Sequence, residues 1–232
     1  MNPSRSAAGL RPAQLLYGLA AVVLCLAPLA LALPQPLPLS KSLQQLLDAG
    51  GVPNLVSTVI LHTRLYDTVA EVVVFTLASI GVRWILSGEP QQQRIRALQD
   101  APSVLLCQLG ATVCALVAVE LALRGHLSPG GGFAAGVAGG TAIGLLLISG
   151  SARLADRLFQ HYRADLWEKA AVVGFVLVAS LALAGLVPGV SGGFGQIDSG
   201  GWIPLLNALV AVKVTLGSWA MVQLLVRYRG LL

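Results

Sequence analysis

The chain predicts an all-α fold: a polytopic membrane bundle of about six transmembrane helices, with both termini cytoplasmic. Charge scarcity is the first reason. Of 232 residues, 56% are hydrophobic and only 11% are charged, where a soluble domain carries about a quarter charged residues. So few ionisable groups cannot build a water-facing surface, which excludes a soluble enzyme, a disordered chain and a collagen-like fibre. The second reason is a mean hydropathy of +0.78, with apolar residues gathered into runs near the roughly 20 residues that cross a bilayer. The third is that the basic residues fall on alternate loops.

The apolar runs cover residues 14–33, 67–86, 104–123, 133–150, 167–187 and 204–226. Arg5 and Arg11 precede the first, and Arg94 and Arg96 follow the second. Arg153, Arg157 and Arg163 follow the fourth, and Arg227 and Arg229 follow the sixth. All of these share one side of a six-span topology. The opposite loops hold only Lys41, Arg64 and Arg124, so the positive-inside rule puts both termini in the cytoplasm. The net charge of +5 therefore has a topological meaning, and no nucleic-acid partner is expected.

The first run has two readings. Arg5, Arg11 and the Ala30-Leu31-Ala32 string resemble a signal peptide with its cleavage site, but the run is long for one, which favours a retained helix. Either way the other spans keep their orientation. Residues 34–53 form a linker with four prolines. Within it Leu39, Leu43, Leu46 and Leu47 follow helical spacing opposite Lys41, Gln44, Gln45 and Asp48, a helix suited to the outer membrane face. Cys25, Cys107 and Cys114 lie in apolar runs without metal-ligand spacing and read as small buried hydrophobes.

Ionisable groups inside a bilayer are costly and face protein or water, so each is a candidate site. At the second span Arg64 precedes Asp67 by three residues and is its expected charge partner. Glu71, one turn deeper on the same face as Asp67, has no basic residue at helical spacing. It either exchanges protons or hydrogen-bonds a neighbouring helix. Glu120 and Arg124, four apart at the end of the third span, form a pair of structural type. Asn207 and Lys213 interrupt the sixth span. Lys213 is too central to reach either surface, so a carboxylate partner is expected: Glu71, Glu120 or an acid of another subunit.

The string Arg124-Gly125-His126-Leu127-Ser128-Pro129-Gly130-Gly131-Gly132-Phe133 must turn sharply before the fourth span. Beyond it Gly132, Gly136, Gly140 and Gly144 form a bare stripe that lets helices approach closely. His126 reads as a hydrogen-bonding loop residue that could also titrate near neutrality. The loop 188–201 is nearly uncharged. No nucleophile–base arrangement, dinucleotide fingerprint, phosphate loop or metal-ligand cluster is present, so neither catalytic nor metal-binding residues are expected.

The 124–133 string, with Gly136 and Gly139-Gly140, resembles the signature loop of the B subunit (MrpB/MnhB) of Mrp-type multisubunit cation/proton antiporters. Residues 204–214 are similar to the last helix of that family, so this resemblance spans about 104–229. Residues 54–71 resemble the C-terminal end of the large A subunit, and the equivalent small subunit of membrane-bound hydrogenase antiporter modules. Arg64, Asp67, Thr68 and Glu71 match that pattern, Tyr66 replaces an aromatic, and His62 stands where the family has an acid. The resemblance implies an A-subunit tail fused to a B subunit, in three parts: 1–53, 54–100 and 101–232. It implies a non-catalytic transport subunit of a bacterial or archaeal cell membrane, surrounded by lipid and by other antiporter subunits, the large complex I-like ones included. Asp67 and Glu71 would then lie in the ion-translocation region, and Lys213 and Glu120 join them as ion-path candidates. Na+ and H+ would be cargo, with no resident cofactor. The alternative is a subunit of an antiporter module attached to a membrane-bound hydrogenase or complex I-like oxidoreductase.

Overall fold

The computed structural model describes residues 22, 26, 39–90, 97–186 and 192–230. The expectations on the 14–33 span, its signal-peptide alternative, Cys25, Arg94 and Arg96 lie outside the described residues, Val22 and Leu26 being helical. Residues 1–41 and 42–232 form two compact units, and the helix packing is that of the second. The described residues are mostly helical and contain no strand.

The order is α1 (Leu39–Gly50), α2 (Leu55–Thr58), a π-helical turn (Val59–Thr63), α3 (Leu65–Leu86), α4 (Ala101–Arg124) and α5 (Gly132–Leu146). A second π-helical turn (Leu147–Ser151), α6 (Ala152–His161), α7 (Ala164–Leu183) and α8 (Ile203–Arg229) complete it. Among the described residues five helical stretches are long and apolar enough to cross a membrane: α3, α4, the run from α5 through α6, α7 and α8. The chain is an all-helical polytopic membrane protein.

Local chemistry sets the boundaries. Asp100 caps α4 by accepting the Ser103 amide at 3.1 Å, with Pro102 in the first turn, where its missing N–H costs nothing. Pro204 does the same for α8, which ends at Gly230. The predicted fourth span, 133–150, divides. Regular helix stops at Leu146, the chain loosens into a π-helical turn, and Gly150 adopts φ 94°, a conformation that favours glycine. Beyond Gly150 the sequence predicts a loop, and the chain instead forms α6, with Arg153 and Arg157 exposed and Ala155 buried.

The spans alternate in direction. One end of the bundle gathers residues 51–64, 124–131 and 192–202; Asn54 and His126 meet there. The other gathers 87–90, 97–100 and α6, where Arg229 pairs with Glu89 at 2.6 Å and Arg227 with Asp156.

Helix α8 is the axis, packed by α3, α5, α7 and one side of α4. Val52, Leu61, Leu65, Val72, Phe175, Ile203, Leu206, Val210 and Val214 form the principal core. Helix α4 lies at the periphery. Leu105, Leu106 and Leu116 are about two-thirds exposed, and Cys107 and Cys114 are half-buried rather than buried. In lipid such surfaces cost nothing, and helix association rests on close van der Waals packing.

The glycine stripe shows where that packing is closest. A β-carbon at Gly132 would overlap Val210, one at Gly136 would overlap Val214, and one at Gly140 would come within 2.6 Å of Ser218 Cβ. Gly139, which the four-residue spacing omitted, abuts Thr215. Gly144 meets nothing within 4 Å; a four-residue repeat drifts by about 40° per step around a helix, so the contact ends one step before the predicted stripe does.

Gly136→Leu forces α5 and α8 apart and is expected to cost at least about 2–3 kcal/mol. Gly144→Leu, in open space, is expected to stay within about 0.5 kcal/mol of wild type. Thermal stability of the detergent-solubilised protein measures both, and equal effects at the two positions would contradict the geometry.

Candidate functional site

Helix α7 buries a single stripe, Ala164, Glu168, Ala171, Phe175 and Ala179, at spacings of three and four. Glu168 is carried inward on that stripe, while Asp165 and Lys169 pair outside at 3.6 Å. Helix α8 turns Lys213 toward it. The Lys213 side chain is 1% exposed and that of Glu168 7%, and Nζ donates to Glu168 Oε1. Helix α3 contributes Phe75, whose ring centroid lies 5.5 Å from Nζ, within range of a cation–π attraction. Gly217, one turn beyond Lys213, makes the room. A β-carbon there would sit 2.7 Å from Phe75 Cε1 and 3.2 Å from Glu168 Oε1.

Lys213 is about 15 Å from the start of α8, so neither bilayer surface is within easy reach. Its partner corrects the sequence expectation: neither Glu71 nor Glu120 meets it, and the pair closes within this chain on Glu168. Sequence reading missed Glu168 because the neighbouring Lys169 and Asp165 make the segment look like a solvated helix start. The usable signal was the buried-stripe spacing, on which Glu168 is the one ionisable residue. Removing one member of such a pair strands a buried charge, at about 3–5 kcal/mol.

Near the start of α8 a second constellation is built from neutral groups. Asn54 caps α2, its Oδ1 accepting the amides of Val56 and Ser57 at 3.1 and 3.4 Å. Its Nδ2 donates to the carbonyls of Gly125 at 2.6 Å and Ser128 at 2.8 Å, and the Ser57 hydroxyl also donates to Gly125 O at 2.7 Å. Asn207 Nδ2 donates to the carbonyls of Ala122 and Leu121 at 2.7 and 3.2 Å. These acceptors belong to the last turn of α4 and the residues just past it, which an intrahelical ladder leaves unpaired. The two asparagines therefore fasten α2 and α8 to the end of α4.

His126 sits in this knot, fully buried, and its backbone carbonyl accepts the Asn54 amide at 3.2 Å. Among the described residues neither ring nitrogen has a hydrogen-bond partner of good geometry. Burial pushes the imidazole below its usual value, partly opposed by the backbone of Ile197 and Gln196.

The remaining predicted residues lie on the surface of the bundle. Arg64 pairs with Asp67 as expected. Arg124 pairs with Glu120 at 3.1 Å, both side chains more than half exposed, a pair worth about 0–1 kcal/mol. Glu71 is exposed on α3 with no ion pair or hydrogen bond among the described residues. No group of three His, Cys, Asp or Glu among the described residues is placed to hold a metal.

Residues 102–220 match the family described as a domain related to the MnhB subunit of Na+/H+ antiporters. The probable A/B subunit of a K+/H+ antiporter from Rhizobium meliloti (strain 1021) is 30% identical over a region taking in 55% of this chain. That region is 16% of the relative, so this chain corresponds to a small part of it. Among solved structures, a chain of the membrane-bound sulfane sulfur reductase, an archaeal respiratory membrane complex, superposes with a TM-score of 0.64. The identity is 23%, with 94% of this chain and 99% of that one covered. At that identity the likeness is one of fold.

Two expected outcomes test the geometry. Glu168→Leu and Lys213→Leu should each destabilise by about 3–5 kcal/mol, and the double variant by clearly less than their sum; additive losses in a double-mutant cycle would rule the pair out. For His126 the lowered folded-state value means that the unfolded chain binds the proton first. Stability is then complete above the free imidazole value of 6.5 and falls as pH drops below it. His126→Leu should flatten that part of the melting-temperature profile.

Proposed function

The chain belongs to the family of domains related to the MnhB subunit of Na+/H+ antiporters, and on that premise we propose that it serves a multisubunit cation/proton antiporter as one of its membrane subunits. MnhB-type subunits are non-catalytic transport components. The chain is a multi-pass membrane protein, in keeping with a bacterial or archaeal membrane. In this reading it associates with other antiporter subunits, including large complex I-like ones, and transport belongs to the assembly. The cargo is a monovalent cation exchanged for protons.

The observation that carries the reading is the Glu168–Lys213 pair, because it lies inside the stretch matched to the family and inside the membrane spans. A carboxylate and an amine held together away from water form a unit that a proton or a cation can perturb. Whatever neutralises Glu168 releases Lys213 from its partner, and the low dielectric makes that release costly. Phe75 and Gly217, from two further turns, hold the pair in register. Asp67, Glu71 and Glu120 stand on the surface, so an ion path using them runs along a seam with a neighbouring subunit.

The six-span topology with cytoplasmic termini belongs to the same proposal. Arg153, Arg157, Arg163, Arg227 and Arg229 lie at one end of the bundle, and Arg64 and Arg124 at the other. With positive charge retained inside, the α6 end is cytoplasmic and the Asn54–His126 knot is external. Residues 54–100 correspond to the A-subunit-like part and 101–232 to the B-subunit-like part, after an N-terminal helix and linker over 1–53. A second reading is favoured by the fold shared with a chain of a respiratory membrane complex: the antiporter module would be attached to an oxidoreductase. Co-purification of redox subunits from gently solubilised membranes separates the two.

The functional test is cation-driven proton movement in membrane vesicles, measured with both sodium and potassium. Replacing both members of the pair, Glu168→Gln with Lys213→Gln, keeps a hydrogen bond but removes both charges. It is expected to lower exchange at least about tenfold, equivalent to about 1.4 kcal/mol, while the complex still assembles. Undiminished exchange would overturn the assignment.

A further inference from the structure

Most acids in the described spans have an opposite charge within the chain. Asp67 has Arg64, Glu120 has Arg124, Asp156 has Arg227, Asp165 has Lys169 and Glu168 has Lys213. Glu71 is the exception. It lies late in the second turn of α3, about 9 Å past the helix start, and it is exposed. The buried face of α3, through Leu65, Thr68, Val72 and Ser79, packs inward. Glu71 flanks that face, at the edge of an exposed arc that runs on through Ala78, Val74 and Ala70. Below them a β-carbon on Gly81 would meet nothing within 4 Å. A carboxylate is thus set beside exposed apolar side chains, Ala78 and Val74 nearest, at a depth where lipid offers it no partner.

From this geometry we infer that the Glu71 face of α3 is a docking surface for a transmembrane helix of another subunit, which presents a Lys or Arg at the depth of Glu71. The occupants available within the chain lack the required charge. Residues 14–33 contain no Lys, Arg or His, so that segment cannot neutralise Glu71. A second copy packed about a two-fold axis would place Glu71 against Glu71, which is repulsive. Lipid headgroup amines remain near the surface. The small residues allow a close helix–helix approach, and the carboxylate fixes which helix docks and in what register. The inference rests on the multisubunit reading and names the face it uses.

The experiment is cysteine crosslinking in native membranes, with Cys25, Cys107 and Cys114 replaced by serine. Single cysteines go at Ala70, Val74 and Ala78, with Leu109 on the lipid-facing side of α4 as the control. The three α3 positions are expected to crosslink to one other subunit, and Leu109 to none. Glu71→Lys is expected to lower the crosslink yield at least about tenfold; because Glu71 is exposed, the variant still folds. Reversing the partner's cation to Glu should then restore the yield. Crosslinks to residues 14–33, crosslinks between two copies, or free labelling from the lipid phase would each overturn the proposal. If antiporter subunits co-purify but leave the α3 face unlinked, the docking inference fails and the function stands. If the linked partner belongs to no antiporter or respiratory module, the proposed function fails and the docking surface stands.

Discussion

A charge inside a bilayer has to be answered inside the protein, and Lys213 imposes that requirement on the whole bundle. Its place on the central helix means that whatever answers it must reach the middle of the packing. Glu168 does so from α7, Phe75 approaches from α3, and Gly217 clears the space. Three spans are thereby held in one rotational setting about a single polar point. The apolar contacts around them tolerate small shifts in register, because lipid and leucine are chemically alike. The ion pair does not tolerate them. It supplies specificity more than net stability, since desolvating both ions offsets much of their attraction.

Much of this architecture was legible in the sequence. The five spans among the described residues were placed within a few residues because hydropathy and length depend on the bilayer and little on tertiary detail. Local pairs such as Arg64–Asp67 and Glu120–Arg124 were legible too, since helical geometry alone brings together residues three or four apart. The partner of Lys213 was not, because Glu168 is 45 positions away and its meeting with Lys213 depends on how α7 is rotated. The rotation was encoded, but in the stripe of small and apolar residues around Glu168 rather than in any charge pattern. The end of the glycine contact before Gly144 was hidden for a similar reason. A repeat in sequence does not state where the contact between two helices ends. Helix α6 was missed because its polar face resembles a loop when read for hydropathy alone.

The knot at the other polar centre works by a different principle. Here no charge is buried, and the problem is the row of carbonyls at the end of α4. Asn54, Ser57 and Asn207 answer it with side-chain donors, so the turn before α5 is held in shape by residues distant in sequence. His126 is enclosed in the same place, and among the described residues neither its ring nitrogens nor Asn207 Oδ1 has a hydrogen-bond partner of good geometry. Pairing within lipid and satisfaction of helix ends are two solutions to one demand: polar groups removed from water must find one another.

The Asn54 tie also bears on how the segments stay together. Its acceptors, Gly125 and Ser128, lie more than 70 positions downstream. On separate polypeptides the same hydrogen bonds would form only as often as two molecules met in the plane of the membrane, and their occupancy would vary with expression level. On one chain the encounter is unimolecular, governed by an effective concentration that the connecting residues set. The tie is then occupied in every molecule whatever the cell's supply. Because it waits for α4 to be completed, it also imposes an order of events during synthesis: the earlier segment cannot finish folding until the later one has been inserted.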